Sequence, residues 1–197
     1  QIGAPTNREL GTRRARAAAL LTLALPGGVY VYQGEELGLW DVEDIPSELR
    51  RDPTWERSGH TDGVRDGCRV PIPWSGDEPP FGFGPPGGAA PWLPQPAEWK
   101  GYTVAVELGD ERSMLTLYRT ALRVRRSTSE LATDAMAWLP SDPDVLAFTR
   151  GDGFACVCNM SARAVELPVH EEVVLASNAL DGALLPSDTA VWLRVRR

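Results

Sequence analysis

Val29-Tyr30-Val31-Tyr32-Gln33-Gly34-Glu35-Glu36-Leu37-Gly38 is the stretch whose reading decides the fold. Its first four residues are β-branched or aromatic with no polar alternation, the pattern of a strand buried on both faces, as in a parallel barrel. Just before it, residues 8–25 read as a helix: Arg8, Glu9, Arg13, Arg14 and Arg16 mark the first half, Ala and Leu fill the second, and all are strong helix formers. Gly27 and Gly28 are suited to ending it. A helix, a two-glycine turn and a buried strand make half of a βαβ repeat. The apolar run from Ala15 to Leu25 follows two arginines and so resembles a signal peptide on first inspection. It lacks a small-residue cleavage site and leads through Pro26-Gly27-Gly28 into the strand, so a buried helix is expected.

Beyond Gly34, to about Gly109, periodicity dissolves, and most of the 17 prolines and many of the 19 glycines fall here. Loops this long inside a compact domain are usually functional, and loops leaving the C-terminal strand ends of a (β/α)₈ barrel build its active site. Five of the seven tryptophans, at 40, 55, 74, 92 and 99, lie in this loop; their rings suit either stacking on sugar faces or packing the loop onto the barrel. Helical spacing returns over 112–126, with Leu115, Tyr118 and Leu122 marking the expected buried face. Arg123, Arg125 and Arg126 sit favourably near its C-terminus. After Ser129 come short strand candidates at 135–139, 145–150, 154–158, 164–167, 172–176 and 190–195. Turns such as Gly151-Asp152-Gly153 and Asp181-Gly182 separate them. The expected fold class is therefore α/β plus all-β. Residues 1–129 are the end of a (β/α)₈ barrel (helix, strand, rim loop, helix), and 130–197 a C-terminal antiparallel β-sandwich.

The bulk properties of the 197 residues exclude some classes. A net charge of −7 argues against nucleic acid as a partner, and no apolar run approaches the about 20 residues that cross a bilayer. Three cysteines are too few for a disulfide framework. Cys156 and Cys158 would share one face of a strand, but no second pair or nearby His completes a metal site, so packed thiols and a reducing compartment are expected. There is no G-x-S-x-G elbow and no Walker loop. Gly82 to Gly88 is glycine-rich without following a strand or opening a helix. His60 with Asp62 suggests a metal site or proton relay, against the plainer reading of a solvated loop histidine. The chain opens on Gln1 rather than Met, as a piece of a longer protein would.

Several motifs follow one another in order: Tyr32-Gln33-Gly34-Glu35-Glu36-Leu37-Gly38, then Arg65-Asp66-Gly67-Cys68-Arg69-Val70-Pro71-Ile72-Pro73-Trp74, then Pro91-Trp92-Leu93-Pro94, then Leu117-Tyr118-Arg119. Together they resemble the α-glucosidase branch of the α-amylase superfamily, which holds maltases, oligo-1,6-glucosidases, sucrose isomerases and trehalose synthases. The resemblance spans essentially the whole chain. It implies that Tyr32 to Glu36 is the eighth barrel strand and the turn after it. It also implies retaining glycoside hydrolysis by an Asp nucleophile, a Glu acid/base and a stabilising Asp within an Asn-His-Asp motif. This sequence has no Asn-His-Asp, and its histidines are His60 and His170. All three carboxylates are thus expected upstream, no catalytic residue is assigned here, and residues 1–197 alone should be inert.

Glu35 and Glu36 are adjacent and usually would point apart, so they are expected to bond loop groups rather than flank a glycosidic bond. The resemblance implies that Arg69 binds substrate in the pocket of the non-reducing terminal glucose, where a planar guanidinium suits paired hydroxyls. The alternative is an arginine tying the loop to the barrel rim. Arg65 and Asp66 are expected to brace the loop, and Trp74 to anchor it. For the whole protein the resemblance implies a cytoplasmic α-glucosidase acting on oligosaccharides, with no redox or metal cofactor, no nucleic acid and no membrane. Its remaining partner is the N-terminal remainder of the barrel, and uncovered barrel faces would favour self-association. A transglycosylating relative and a non-catalytic amylase-fold homologue stay open. So does glycan binding by the β-domain, if Trp138 and Trp192 were both exposed on one face.

Overall fold

A computed structural model describes residues 7–61 and 65–196. The chain divides into two compact units, Gln1–Tyr30 with Leu117–Arg197, and Val31–Thr116.

In the first unit, helix α1 runs over Arg8–Ala24. Asn7 caps it, its side-chain oxygen accepting from the Leu10 amide at 3.0 Å. The arginine-rich half stays largely in solvent while Ala17, Ala19, Leu20, Leu23 and Ala24 are buried. Seven strands follow: β1 Met136–Trp138, β2 Val145–Arg150, β3 Phe154–Asn159, β4 Val165–Glu166, β5 Glu172–Ala176, β6 Leu184–Leu185 and β7 Thr189–Arg194. Five form an antiparallel sheet in the order β1-β2-β3-β7-β5, and β4 pairs with β6. One face of the large sheet packs Val145, Ala147, Ala155, Val157, Val191 and Leu193 against Leu185 of the small one. On the other face Phe148, Cys156 and Trp192 lie in register across β2, β3 and β7, and the Trp192 indole N–H donates to the Leu20 carbonyl of α1 at 3.0 Å. Both faces being covered, β3 is buried at every position. The expected sandwich is thus present with unequal sheets; the two-residue β6 is too short to leave a sequence pattern.

The C-terminus of α1 exposes carbonyls that no further helical turn can satisfy, and two arginines meet them. Arg125 donates to Leu25 at 3.0 Å, to Gly27 at 2.8 Å, and also to Leu23. Arg150, fully buried, donates to the Ala135 carbonyl at 3.1 Å and to Leu131 at 3.3 Å, and also to Ala24 and Thr133. Burial, then the nearby Arg125, push Arg150 below its ordinary value while Asp134 opposes them. Cys156 and Cys158 are packed beneath α1. Burial raises Cys158 to about 11 and Cys156 further, so both stay protonated thiols.

Helix α4, Met114–Ser127, corrects its expected face. Met114, Leu117, Tyr118 and Ala121 are buried, whereas Leu115 and Leu122 are half-buried. The stripe starts one residue earlier than expected and includes an alanine. Val29 to Tyr32 also departs from the expected buried strand: it joins no ladder, and Tyr30 is 97% exposed. A strand exists only through its neighbours, and none pairs with it among the described residues.

The second unit replaces an expected structureless loop with a core of its own. Val42, Ile45, Val70, Phe81, Leu93 and Trp99 are buried together, and Trp40 meets the rings of Trp99 and Tyr102 edge-on at 6.0 and 5.3 Å. Single helical turns and two short helices, α2 Pro53–Arg57 and α3 Val104–Leu108, connect these anchors. Proline and glycine space the apolar residues irregularly, so neither the helix nor the strand period shows. Trp74 is not the expected anchor, being 49% exposed; Phe81, fully buried, holds that place.

Candidate functional site

The site begins at the turn after Tyr32. Gly34 adopts φ 90°, open to glycine at little cost, and its amide donates to the Glu36 carboxylate at 2.8 Å. Glu36 thereby closes its own turn, while Glu35 is exposed. The two are not posed as a catalytic pair. Gln33 ties the turn to the next motif, donating to the Val70 carbonyl at 3.2 Å.

That motif is held from inside the loop by two buried carboxylates. Asp66 accepts from the amides of Arg51 at 2.7 Å and Asp52 at 3.0 Å. Asp52 caps α2, taking the Thr54 amide at 2.9 Å. Its other oxygen takes the Arg65 side chain at 3.0 Å, the Arg65 amide at 3.2 Å and Arg69 at 3.4 Å. Gly67 passes so close to Val42 that an added Cβ would lie 2.7 Å from its carbonyl oxygen, which fixes a glycine between Asp66 and Cys68. Arg65 and Asp66 therefore brace the loop. Arg69 stands at its edge with its side chain 38% exposed.

Asp52 is the residue that motif reading missed. Its signal was Asp52-Pro53, a capping residue before a proline at the first helical position, and nothing local announced its link to Arg65 and Arg69. The Thr54 amide first, and the Arg65 guanidinium next, hold the Asp52 carboxyl well below the usual carboxylate range, against the opposing pull of burial. A folded-state value below the unfolded one stabilises the fold at neutral pH, and that stabilisation is lost as pH falls. The loss should set in near the ordinary value of 3.8 and grow below it. We expect the melting temperature measured from pH 5 to about pH 2.5 to fall less steeply in Asp52→Asn than in the parent.

A cavity of about 210 Å³ opens beside this brace, walled by Tyr32, Gln33, Glu35, Trp40, Asp41 and Cys68 among others. It is smaller than the roughly 300 Å³ of small-molecule sites, and Arg69 does not line it. Of the five loop tryptophans, Trp99 and Trp40 are packed together. Trp55 is covered by Arg50 at 4.2 Å and by the His60 ring at 5.0 Å. Trp74 and Trp92, the latter 80% exposed, have free ring surface. His60 also contacts Glu56 at 3.1 Å, but its side chain is exposed, as expected of a solvated loop histidine; Asp62 lies outside the described residues. Among those residues no three His, Cys, Asp or Glu side chains converge. Trp192 is fully buried and Trp138 is 63% exposed, so the condition for a glycan-binding β-domain face is not met. No helix among the described residues is long and apolar enough to cross a membrane.

Comparison with known proteins places the chain. It is 36% identical over 160 residues to a probable α-glucosidase of Rhizobium meliloti (strain 1021), covering 79% of this chain and 28% of that protein. It is 32% identical over 152 residues to the trehalose synthase/amylase TreS of Mycobacterium tuberculosis, covering 72% of this chain and 22% of that one. The chain thus spans between about a fifth and a third of the length of these curated relatives. Among solved structures, the α-glucosyl transfer enzyme XgtA superposes with a TM-score of 0.76 at 31% identity, over 94% of this chain and 36% of that chain. The shared fold is the end of a (β/α)₈ barrel followed by an antiparallel β-domain. Residues 4–134 match the family described as α-amylase, catalytic domain, and to that family this chain belongs.

Proposed function

We propose that this chain is the C-terminal part of a retaining α-glucosidase that releases terminal α-linked glucose from short oligosaccharides. Residues 1–129 complete its barrel and 130–197 form its β-domain. The observation that carries the reading is Arg69. Its guanidinium is held on one side by buried Asp52 and is partly exposed on the other, and among the described residues its remaining N–H groups have no partner. Such a fork matches two neighbouring sugar hydroxyls. The nucleophile and the acid/base are assigned to the remainder of the barrel: residues 1–197 hold no Asn-His-Asp, the motif of the stabilising Asp, Glu36 accepts from the Gly34 amide of its own turn, and the adjacent Glu35 is not posed with it as a catalytic pair. The reading needs no redox or metal cofactor. Its partners are the oligosaccharide and the rest of the barrel, with which the exposed, unpaired segment Tyr30 to Tyr32 would pair; alone, that segment favours self-association. Three free cysteines agree with a cytoplasmic location.

Transfer to a sugar rather than water is the second reading, favoured by the likeness to TreS and XgtA; how well the closed site excludes water decides between them. The test follows the intact protein acting on p-nitrophenyl α-glucoside by NMR. α-Glucose as the first product is expected. β-Glucose would overturn retention, no release would overturn the activity, and a disaccharide formed with added glucose would establish transfer.

A further inference from the structure

Asp52 has a task beyond holding the loop. Arg65 and Arg69 both reach the same carboxylate oxygen, Oδ2, at 3.0 and 3.4 Å, while Oδ1 is occupied by the Thr54 amide at 2.9 Å. The acid is 2% exposed, so water cannot replace its ligands. Two guanidinium groups drawn to one oxygen would repel each other without the negative charge between them. Arg65 also has its backbone amide fixed on Asp52, at 3.2 Å, whereas Arg69 is held there through its side chain. An arginine side chain has many rotamers to lose on binding, and anchoring its guanidinium in advance removes much of that loss from the binding step.

Resting on the reading of Arg69 as a substrate-binding residue, we propose that Asp52 is a positioning residue that fixes the Arg69 guanidinium for the sugar hydroxyls. It touches no substrate itself and acts only through Arg69. The chemistry is specific to a carboxylate: an amide at the same place can cap α2 and accept one hydrogen bond, but cannot neutralise two cations.

The test is a double-mutant cycle on p-nitrophenyl α-glucoside in the intact enzyme, with the melting temperature of every variant measured alongside. Asp52→Asn should raise KM about tenfold and change kcat less than about threefold, the pattern of lost uniform binding. In an Arg69→Ala background the same substitution should change kcat/KM less than about twofold, since a residue acting through another has nothing left to act on. If Arg69→Ala is fully active, the underlying reading fails and this one with it. If Arg69→Ala is impaired while folded Asp52→Asn keeps the parent KM, the positioning role alone is overturned. It is likewise overturned if Asp52→Asn lowers activity equally in both backgrounds. Should Asp52→Asn not fold, Asp52→Ser, which keeps a capping oxygen for Thr54, is carried through the same cycle with the same expected outcomes.

Discussion

Replacing Arg150 by methionine lowers the stability of the intact protein by about 3–5 kcal/mol. The arginine donates to the carbonyls of Ala24, Leu131, Thr133 and Ala135 at a fully buried site. Removing a whole polar group together with its partners can be neutral, but here the acceptors are backbone and stay behind. Ala135 keeps one donor, the Gly151 amide at 3.3 Å; Ala24, at the end of α1, loses the Arg150 donor. Methionine fills most of the volume, so the loss reads the hydrogen bonds and not a cavity. Lysine keeps the charge but offers three donors from one point, which cannot span carbonyls from four residues, so Arg150→Lys should recover less than half of the loss. Urea unfolding followed by tryptophan fluorescence measures it, Trp192 lying between α1 and the sheet. A loss below about 1 kcal/mol would mean that water reaches these carbonyls.

Arg69→Ala lowers kcat/KM for p-nitrophenyl α-glucoside by about 10²–10³, the equivalent of about 3–4 kcal/mol for a pair of charge-assisted hydrogen bonds. The fold should survive the change. The side chain is 38% exposed, and Asp52 keeps Arg65 as its counter-ion. A melting temperature near that of the parent is therefore expected together with the kinetic loss. Lysine at the same place restores the charge without the planar fork, and should recover only part of the rate. Parent-like kinetics in Arg69→Ala would return the residue to a tie between loop and rim.

Helix α1, helix α4 and the principal strands were legible in the sequence because each repeats a local period, and β2 and β5 begin and end where their residues indicated. The core of residues 31–116 was hidden for the opposite reason. Phe81 and Trp99 reach their places through prolines, glycines and single helical turns, and no spacing rule connects them. Arg69 stood in a motif, but its anchor Asp52 lies 17 residues upstream in a stretch whose local features suggest only a helix cap. Arg150 likewise read as the end of a strand, although its side chain closes a helix 126 residues earlier in the chain. Long-range pairing of polar side chains with backbone is decided in three dimensions, and a single sequence leaves little trace of it.

Residues 1–197 complete an α-glucosidase pocket, on the reading proposed above, without supplying its catalytic carboxylates. Release of p-nitrophenol from p-nitrophenyl α-glucoside is the measurement that tests this most directly. It is made with this chain alone and with this chain mixed with the N-terminal remainder of the barrel, the size of each species being followed by light scattering. Activity that appears only in the mixture, together with a one-to-one complex, is the predicted result. Activity from this chain alone, or none from a one-to-one complex, would contradict it.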